Sequence, residues 1–162
     1  MNKIEIDFNQ IDLPFQNLTS TDIEKIVFRV VEHLPLKRVD LTFIFTNNNE
    51  IQNINKKYRS KDYPTDVISF AYRDNFFPKL TDNNEYLGDI FVSLEKVYEQ
   101  SLEDKADFSQ EVIKIVIHGL LHLLGYDHEK GLKEAVLMKE KEIKIFNKIS
   151  CLHKIEKKRN ML

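Results

Sequence analysis

Three of the five histidines in the chain lie within the segment HGLLHLLGYDH, which spans residues 118 to 128. His118 and His122 are four residues apart, so in a helix both imidazoles leave the same face about one turn from each other. Gly125 allows the chain to reverse at once, which can return His128 as a third ligand. We therefore predict one metal ion at these three histidines, with zinc as the expected ion and other divalent transition metals as alternatives.

The number of ligands indicates the kind of site. Three protein ligands leave a fourth position open for water, the arrangement of a catalytic rather than a structural zinc site. We expect Asp127 or a backbone carbonyl to accept the remaining ring N–H of a ligand and so to fix its tautomer.

Gly119 argues against peptide hydrolysis. Zinc proteases of the H-E-x-x-H type place a glutamate directly after the first histidine, where it takes a proton from the attacking water. This chain has Gly119 there, which carries no side chain. A protease would need a base from elsewhere, and Glu129 or Asp127 are the nearest candidates.

Arg59 stands in the densest local group of positive charge before the C-terminal tail, together with Lys56, Lys57 and Lys61. A guanidinium can hold a phosphate through two hydrogen bonds and neutralise the charge that develops during its displacement. We therefore predict that Arg59 is catalytic on a phosphodiester. A solvated basic end of a helix is the alternative interpretation.

Several other polar residues receive no chemical role from the sequence. Thr65, Asp66 and Ser69 are typical turn, cap and strand residues. His33 and His153 have no partner nearby in sequence, and Cys151 is the single cysteine, which excludes an internal disulfide.

Hydrophobic periodicity predicts the strands and helices that must position these side chains. Alternation predicts strands, and 3.6-residue spacing predicts helices, with capping boxes at Thr21/Glu24 and Asp107/Gln110. The strands are predicted at 4–8, 39–45, 66–72 and 87–93, and the helices at 21–34, from 47–49 to Arg59, at 93–103, 107–124 and 132–149. A polar, Asn-rich loop containing Pro78 separates the last two strands.

The order of these elements predicts an α+β fold. We expect a small mixed sheet of about four strands, packed with helices around a buried central helix that carries His118 and His122. The length of 162 residues fits a single domain over 1–162. From about residue 153 we expect a basic, solvated tail, with contact to phosphate as the alternative.

Composition limits the partners. The net charge is −2, so no global positive field attracts nucleic acid, and any contact with RNA must be local. We see neither a signal peptide nor an apolar stretch long enough to span a bilayer, and we expect a cytoplasmic protein without membrane partners.

Three motifs resemble those of one family. H-G-x-L-H-L-x-G-Y-D-H at 118–128 is similar to the signature of the YbeY family of bacterial endoribonucleases, and YRSKDYPTDVISF at 58–70 and LGDI at 87–90 resemble two further motifs of that family. The resemblance implies a single α+β domain, zinc held by His118, His122 and His128, and a functional arginine at Arg59. It also implies a role in maturing ribosomal RNA, notably the 3′ end of the small-subunit RNA, and in ribosome quality control.

The expected partners are thus ribosomal RNA and the ribosome or ribosome-associated proteins, with no DNA. Two other functions stay open at this point. One is a non-catalytic ribosome-assembly or RNA-binding factor with a structural metal, and the other is a zinc metalloprotease-like hydrolase.

Overall fold

The computed structural model describes residues 1–74, 80–81 and 84–161. Its strands are β1 (Lys3–Phe8), β2 (Val39–Thr46), β3 (Val67–Ala71), β4 (Leu80–Thr81) and β5 (Asn84–Ser93), and its α-helices are α1 (Ser20–Glu32), α2 (Asn48–Arg59), α3 (Leu94–Glu103), α4 (Phe108–Leu123) and α5 (Leu132–Asn160). A 3₁₀ turn at Tyr72–Asp74 follows β3. Half of the predicted loop around Pro78, residues 75–79 and 82–83, lies outside the described residues.

The sheet is mixed, as predicted, in the order β1-β2-β5-β3. β1 pairs with β2 and β2 pairs with β5 in parallel, while β3 and the short β4 both pair with β5 in antiparallel orientation. This order makes β3, which follows α2 directly, a neighbour of the central strand β5.

The main hydrophobic core lies between one face of the sheet and the helices α1, α3, α4 and α5. Alternate side chains of β2, among them Leu41, Phe43 and Phe45, are fully or almost fully buried in it. α4 is the central helix, since apolar residues along its length, such as Val112, Val116 and Leu120, have no exposed surface. This confirms the predicted buried helix that carries His118 and His122.

α2 covers part of the other face of the sheet. Its Ile51 and Ile54 form a second, smaller core with Ile68 of β3, against which Phe70 and Phe91 also pack. The helix begins at the N-cap Asn47, whose side chain accepts a hydrogen bond from the backbone of Glu50 at 2.9 Å. It ends at Arg59, because Ser60 adopts a left-handed conformation with φ of 57°.

The start of α1 differs from the prediction. The capping box is formed by Thr19 and Asp22, two residues before the predicted pair Thr21 and Glu24. Leu18 is buried and exchanges two backbone hydrogen bonds of 2.9 Å with Phe15, which fixes where the chain enters the helix. The residue after Leu18 therefore becomes the cap.

α5 is longer than predicted, running to Asn160 instead of about residue 149. Its last turns are polar and show no apolar period, and side chains of other helices hold them instead. Arg29 of α1 forms an ion pair with Glu156, and Ser109 of α4 accepts a hydrogen bond from Lys157 at 3.0 Å. The predicted basic tail from about residue 153 is thus helical as far as Asn160, and its side chains at 156–160 are exposed.

Within 1–74, 80–81 and 84–161, no helix combines the length and the apolar character needed to cross a membrane.

Candidate metal centre

His118, His122 and His128 come together at the end of α4. The helix ends in a Schellman turn, in which the backbone N–H of Tyr126 bonds to the carbonyl of Leu121 at 3.1 Å and that of Gly125 bonds to the carbonyl of His122 at 3.0 Å. Gly125 has φ of +94°, a conformation that side-chain-bearing residues rarely adopt. The chain therefore reverses at once and returns His128 toward the helix.

One ring nitrogen from each of the three histidines lies within 4.8 Å of the other two. Nε2 of His118 and Nε2 of His122 are 3.1 Å apart. Two nitrogens bound to one tetrahedral zinc ion at about 2.0–2.1 Å would be about 3.3 Å apart. The nitrogen positions of His118 and His122 thus fit a shared metal with little adjustment, and His128 is within reach of the same point.

Glu142 of α5 determines which nitrogen of His118 is free. Its Oε1 lies 2.5 Å from Nδ1 of His118, and both side chains are mostly buried. A carboxylate in this place accepts the Nδ1–H, so Nε2 keeps a lone pair directed at the other histidines. The sequence prediction had assigned such an acceptor role to Asp127 or a carbonyl; for His118 the acceptor is Glu142.

Electrostatics keep His122 in the form that a metal needs. Burial lowers the pKa of His122, and the positive charges of His118, His128 and Arg59 lower this pKa further, against the opposing effect of Asp127. The ring of His122 is therefore neutral at neutral pH and can offer a lone pair.

Glu142 is held ionised by the same contact. Burial raises its pKa, but the hydrogen bond and charge of His118, together with the charge of Lys139, bring the pKa of Glu142 below its ordinary value. An ionised carboxylate at this place makes the His118 imidazole a more basic ligand.

The histidines line a cleft with a volume of about 700 Å³. Arg59, from the end of α2, lines the same cleft, which places the predicted catalytic guanidinium and the predicted metal ligands around one space. The remaining lining residues are Lys61, Thr65, Asp66, Val67, Ser69, Ala71, Asp127 and Glu129. A space of this size exceeds what a single metal ion requires and can hold an extended substrate.

Three lining residues that received no chemical role from the sequence, Thr65, Asp66 and Ser69, belong to this wall. Asp66 accepts a hydrogen bond from the backbone of Val67 at 2.8 Å, and Ser69 donates one to the carbonyl of Gly119 at 3.1 Å. These bonds tie the loop after α2 to β3, and β3 to α4. Thr65, Asp66 and Ser69 come near the histidines only through the tertiary packing of β3 against α4.

The other two cations of this basic group, Lys56 and Lys57, are not among the residues that line the cleft. Lys56 forms an ion pair with Asp62 at 3.3 Å, and the Lys57 amine lies 5.2 Å from the centre of the Tyr58 ring. His33 and His153 also lie apart from the cleft lining, in line with the absence of any role assigned to them from the sequence.

Gly119 faces the sheet, where there is no space for a side chain. A Cβ atom there would lie 2.8 Å from Cγ2 of Ile90 and 3.4 Å from Cγ2 of Val67. Gly119 thus permits close packing of α4 on β3 and β5, and a glutamate could not occupy this position as it does in H-E-x-x-H proteases. Asp127 and Glu129 do line the cleft, so carboxylates are present there from another segment.

Comparison with known proteins gives a consistent result. A family model described as endoribonuclease YbeY matches residues 5–150. The chain is 37% identical over 149 residues to the endoribonuclease YbeY of Persephonella marina, covering 92% of this chain and 94% of the relative. It is 40% identical over 134 residues to the endoribonuclease YbeY of Clostridioides difficile, covering 79% of this chain and 86% of the relative. The solution structure of TM1509 from Thermotoga maritima is similar with a TM-score of 0.63 and 27% identity, covering 94% of this chain and 93% of that one.

Proposed function

Because the chain belongs to the YbeY family of endoribonucleases, we propose that it is a metal-dependent enzyme that cuts single-stranded ribosomal RNA. The observation that carries this proposal is the convergence of three histidines and a guanidinium on one cleft. The proposal takes the whole chain, 1–162, as a single endoribonuclease domain. The same resemblance supports a cytoplasmic role in maturing the 3′ end of the small-subunit RNA and in ribosome quality control, on ribosomes or with ribosome-associated proteins.

In this proposal His118, His122 and His128 hold one zinc ion, or another divalent transition metal. When bound, such an ion supplies Lewis-acid chemistry, polarising a phosphoryl oxygen and lowering the pKa of water. Glu142 lies behind His118 and outside the cleft lining, so it positions the ligand and does not exchange protons with substrate.

The charges of the cleft support the dependence on metal. Among the described residues of the cleft lining, three are carboxylates, Asp66, Asp127 and Glu129, and two are cationic, Arg59 and Lys61. Apart from the histidines, these described side chains carry a net negative charge, which repels a phosphodiester. A divalent cation reverses that sign, so we expect substrate to bind productively only when the histidine site is loaded.

Arg59 acts on the phosphate. It is exposed at the end of α2 and lines the same cleft as the three histidines, and its charge helps to lower the pKa of His122; both observations support this role. There it orients the scissile phosphate through two hydrogen bonds and stabilises the charge that develops on the phosphoryl oxygens. Lys61 lines the same cleft and can hold a neighbouring phosphate.

The test compares purified wild-type protein with Arg59→Ala and His118→Ala on RNA spanning the 3′ end of small-subunit ribosomal RNA. Metal content is measured on the same samples. Loss of one charge-stabilising group typically lowers the rate by about 100- to 1000-fold, so Arg59→Ala should retain metal and lose cutting by that factor. His118→Ala should lose both metal and cutting.

Lys57→Ala is the matched control, since Lys57 is an exposed cation near Arg59 but does not line the cleft. It should cut like wild type. Equal cutting by all four proteins would indicate a contaminating ribonuclease and would move the non-catalytic assembly factor to first place. Metal-dependent hydrolysis of an unstructured protein that survives Arg59→Ala would instead favour the protease-like hydrolase.

A further inference from the structure

Exposed aromatic rings are rare in the described part of the chain, and two of them stand beside the cleft cations in sequence. Phe28, Tyr58 and Tyr63 have relative exposures of 46%, 61% and 53%. Tyr58 and Tyr63 flank the segment that contains Arg59 and Lys61, both of which line the cleft. Alternation of aromatic and cationic residues along a groove is typical of proteins that bind single-stranded nucleic acid.

Tyr58 has a structural role that accounts for its position. Its ring packs edge to face on Phe70 with centroids 5.2 Å apart, and Lys57 lies over it at 5.2 Å. Phe70 packs in turn against the small core under α2. One side of the Tyr58 ring is therefore committed to the fold.

Tyr63 differs from Tyr58, because its backbone is held while its ring is left outside. The carbonyl of Tyr63 accepts a hydrogen bond of 2.9 Å from the side chain of Asn55, which is only 2% exposed. Asp62, the preceding residue, is held to α2 by Gln52 at 3.0 Å and Lys56 at 3.3 Å. These bonds fix the loop, yet the ring makes no aromatic contact with any described residue.

Tyr63 lies in sequence between two residues that line the cleft in which we propose that the RNA binds. Lys61 and Thr65, two residues before and two residues after it, both line the cleft. Two residues span at most about 7 Å of chain, so a phosphate held by Lys61 brings a base of the same strand within reach of the ring. The side chain of Asp62 is occupied by Gln52 and Lys56, so its charge is turned toward α2.

We propose that Tyr63 is a stacking platform for an unpaired base of the RNA, at the rim of the cleft and next to the phosphate held by Lys61. This inference rests on the proposed function, because it concerns the substrate of the same site. It assigns the preference for single strands to a particular side chain: a base within a duplex is already stacked and paired and is not available to the ring.

The first test measures binding. A fluorescently labelled single-stranded RNA decamer is titrated by anisotropy with zinc-loaded protein, and each value is read after rapid mixing, before the decamer is cut. Loss of one base–aromatic stack should weaken binding by between about 5-fold and 150-fold in Tyr63→Ala, whereas Tyr63→Phe keeps a ring and should bind like wild type. Phe28→Ala, which removes an exposed ring from α1, is the matched control and should also bind like wild type.

The second test identifies the stacked base. Single abasic positions are moved along the decamer, and one position should reproduce the loss in the wild-type protein while causing no further loss in Tyr63→Ala. A blunt RNA duplex of the same length should show no difference between wild type and Tyr63→Ala. Equal binding of the decamer by wild type and Tyr63→Ala, or no binding by either, would overturn the stacking platform.

Cleavage assays separate this inference from the proposed function. In multiple-turnover assays with zinc-loaded protein, Tyr63→Ala should raise KM and leave kcat near its wild-type value, because the ring does not touch the reacting atoms. Binding that depends on Tyr63 without any cutting by the wild type would contradict the endoribonuclease and leave the subsite standing. Normal cutting by the wild type, with an unchanged KM in Tyr63→Ala, would support the endoribonuclease and contradict the stacking platform.

Discussion

Glu142 illustrates how one residue outside the cleft can control the chemistry inside it. It accepts the Nδ1 proton of His118 at 2.5 Å and so leaves the Nε2 lone pair free. Removal of such a partner behind a metal ligand typically costs 10- to 100-fold in metal affinity or activity, so Glu142→Gln should weaken zinc binding by about that factor. Competition against a chromogenic chelator measures the affinity directly.

Glu140→Gln serves as the control for this change, since Glu140 is an exposed carboxylate two residues away on the same helix. It should bind zinc as the wild type does. Unchanged zinc affinity in Glu142→Gln, with an unchanged melting temperature, would show that His118 keeps its tautomer without this carboxylate.

The sequence predicted the three histidines but not Glu142, for a physical reason. Spacing within one helix and one turn is enough to bring His118, His122 and His128 together, because helix geometry and Gly125 determine their relative positions. Glu142 lies 24 residues from His118 on another helix. Its contact depends on how α5 packs against α4, which no local pattern encodes.

At the scale of the helix and the sheet, Gly119 sets how closely α4 approaches β3 and β5. In a helix, alanine would be favoured over glycine by about 1 kcal/mol on propensity alone. Here a Cβ would meet the branched methyl of Ile90 at 2.8 Å, and Ile90 is fully buried and cannot turn away. We expect Gly119→Ala to lower the free energy of unfolding by about 1–3 kcal/mol, as overpacked core positions do.

Urea unfolding followed by circular dichroism checks this value. Lys114→Ala, at an exposed position of the same helix, gives the effect of an alanine that meets no close atoms, together with the loss of the ion pair to Glu111 and the contact with the Phe146 ring. If Gly119→Ala were as stable as wild type or more so, the close approach of α4 to the sheet would not be a constraint.

The last turns of α5 add a dependence of stability on pH. His153 lies 3.2 Å from the Ser109 hydroxyl, and burial lowers the pKa of His153, as do the charges of Lys157 and Arg29, against the opposing effect of Asp107 and Glu156. Because the folded protein binds this proton less readily than the unfolded chain, stability is complete above about pH 6.5 and falls as the pH is lowered from there toward the folded pKa.

His153→Gln removes this titration while keeping a polar side chain, so the decline in unfolding free energy from about pH 6.5 to pH 5 should become shallower. The decline should not vanish, because the lowered pKa of His122 acts in the same direction. His33→Gln, at the exposed end of α1, is the matched control. Identical pH profiles for wild type and His153→Gln would show that the contact with Ser109 persists in both protonation states.

The helices and strands themselves were largely predictable, and the exceptions share a cause. Alternation and helical spacing identify β1, β2, α2 and α4 because each carries a continuous apolar pattern facing a core. The last turns of α5 lack such a pattern, since they are held by ion pairs and hydrogen bonds to Arg29 and Ser109. β4 has only two residues, too few to show any period.

At the scale of the whole molecule, the hydrophobic core and the candidate metal site occupy different regions. The main core is continuous from α1 to α5 and lies on one side of the sheet, while the histidines occupy one end of α4 and the turn after it. His118 and His122 also contact each other directly through Nε2 atoms 3.1 Å apart, so these two rings are not left without partners when metal is removed. The fold should therefore persist in the metal-free protein.

Chelation tests this separation, and with it the choice between an enzyme and an assembly factor with a structural metal. We expect a chelator to abolish RNA cutting and to leave the far-ultraviolet circular dichroism spectrum unchanged. Zinc added back at 100 times its Kd should restore cutting and stabilise the protein by about 2.7 kcal/mol, as expected for a ligand that binds only the folded state. Cooperative unfolding on chelation would instead mean that the histidines hold the structure together, as in small zinc domains, and would favour the assembly factor.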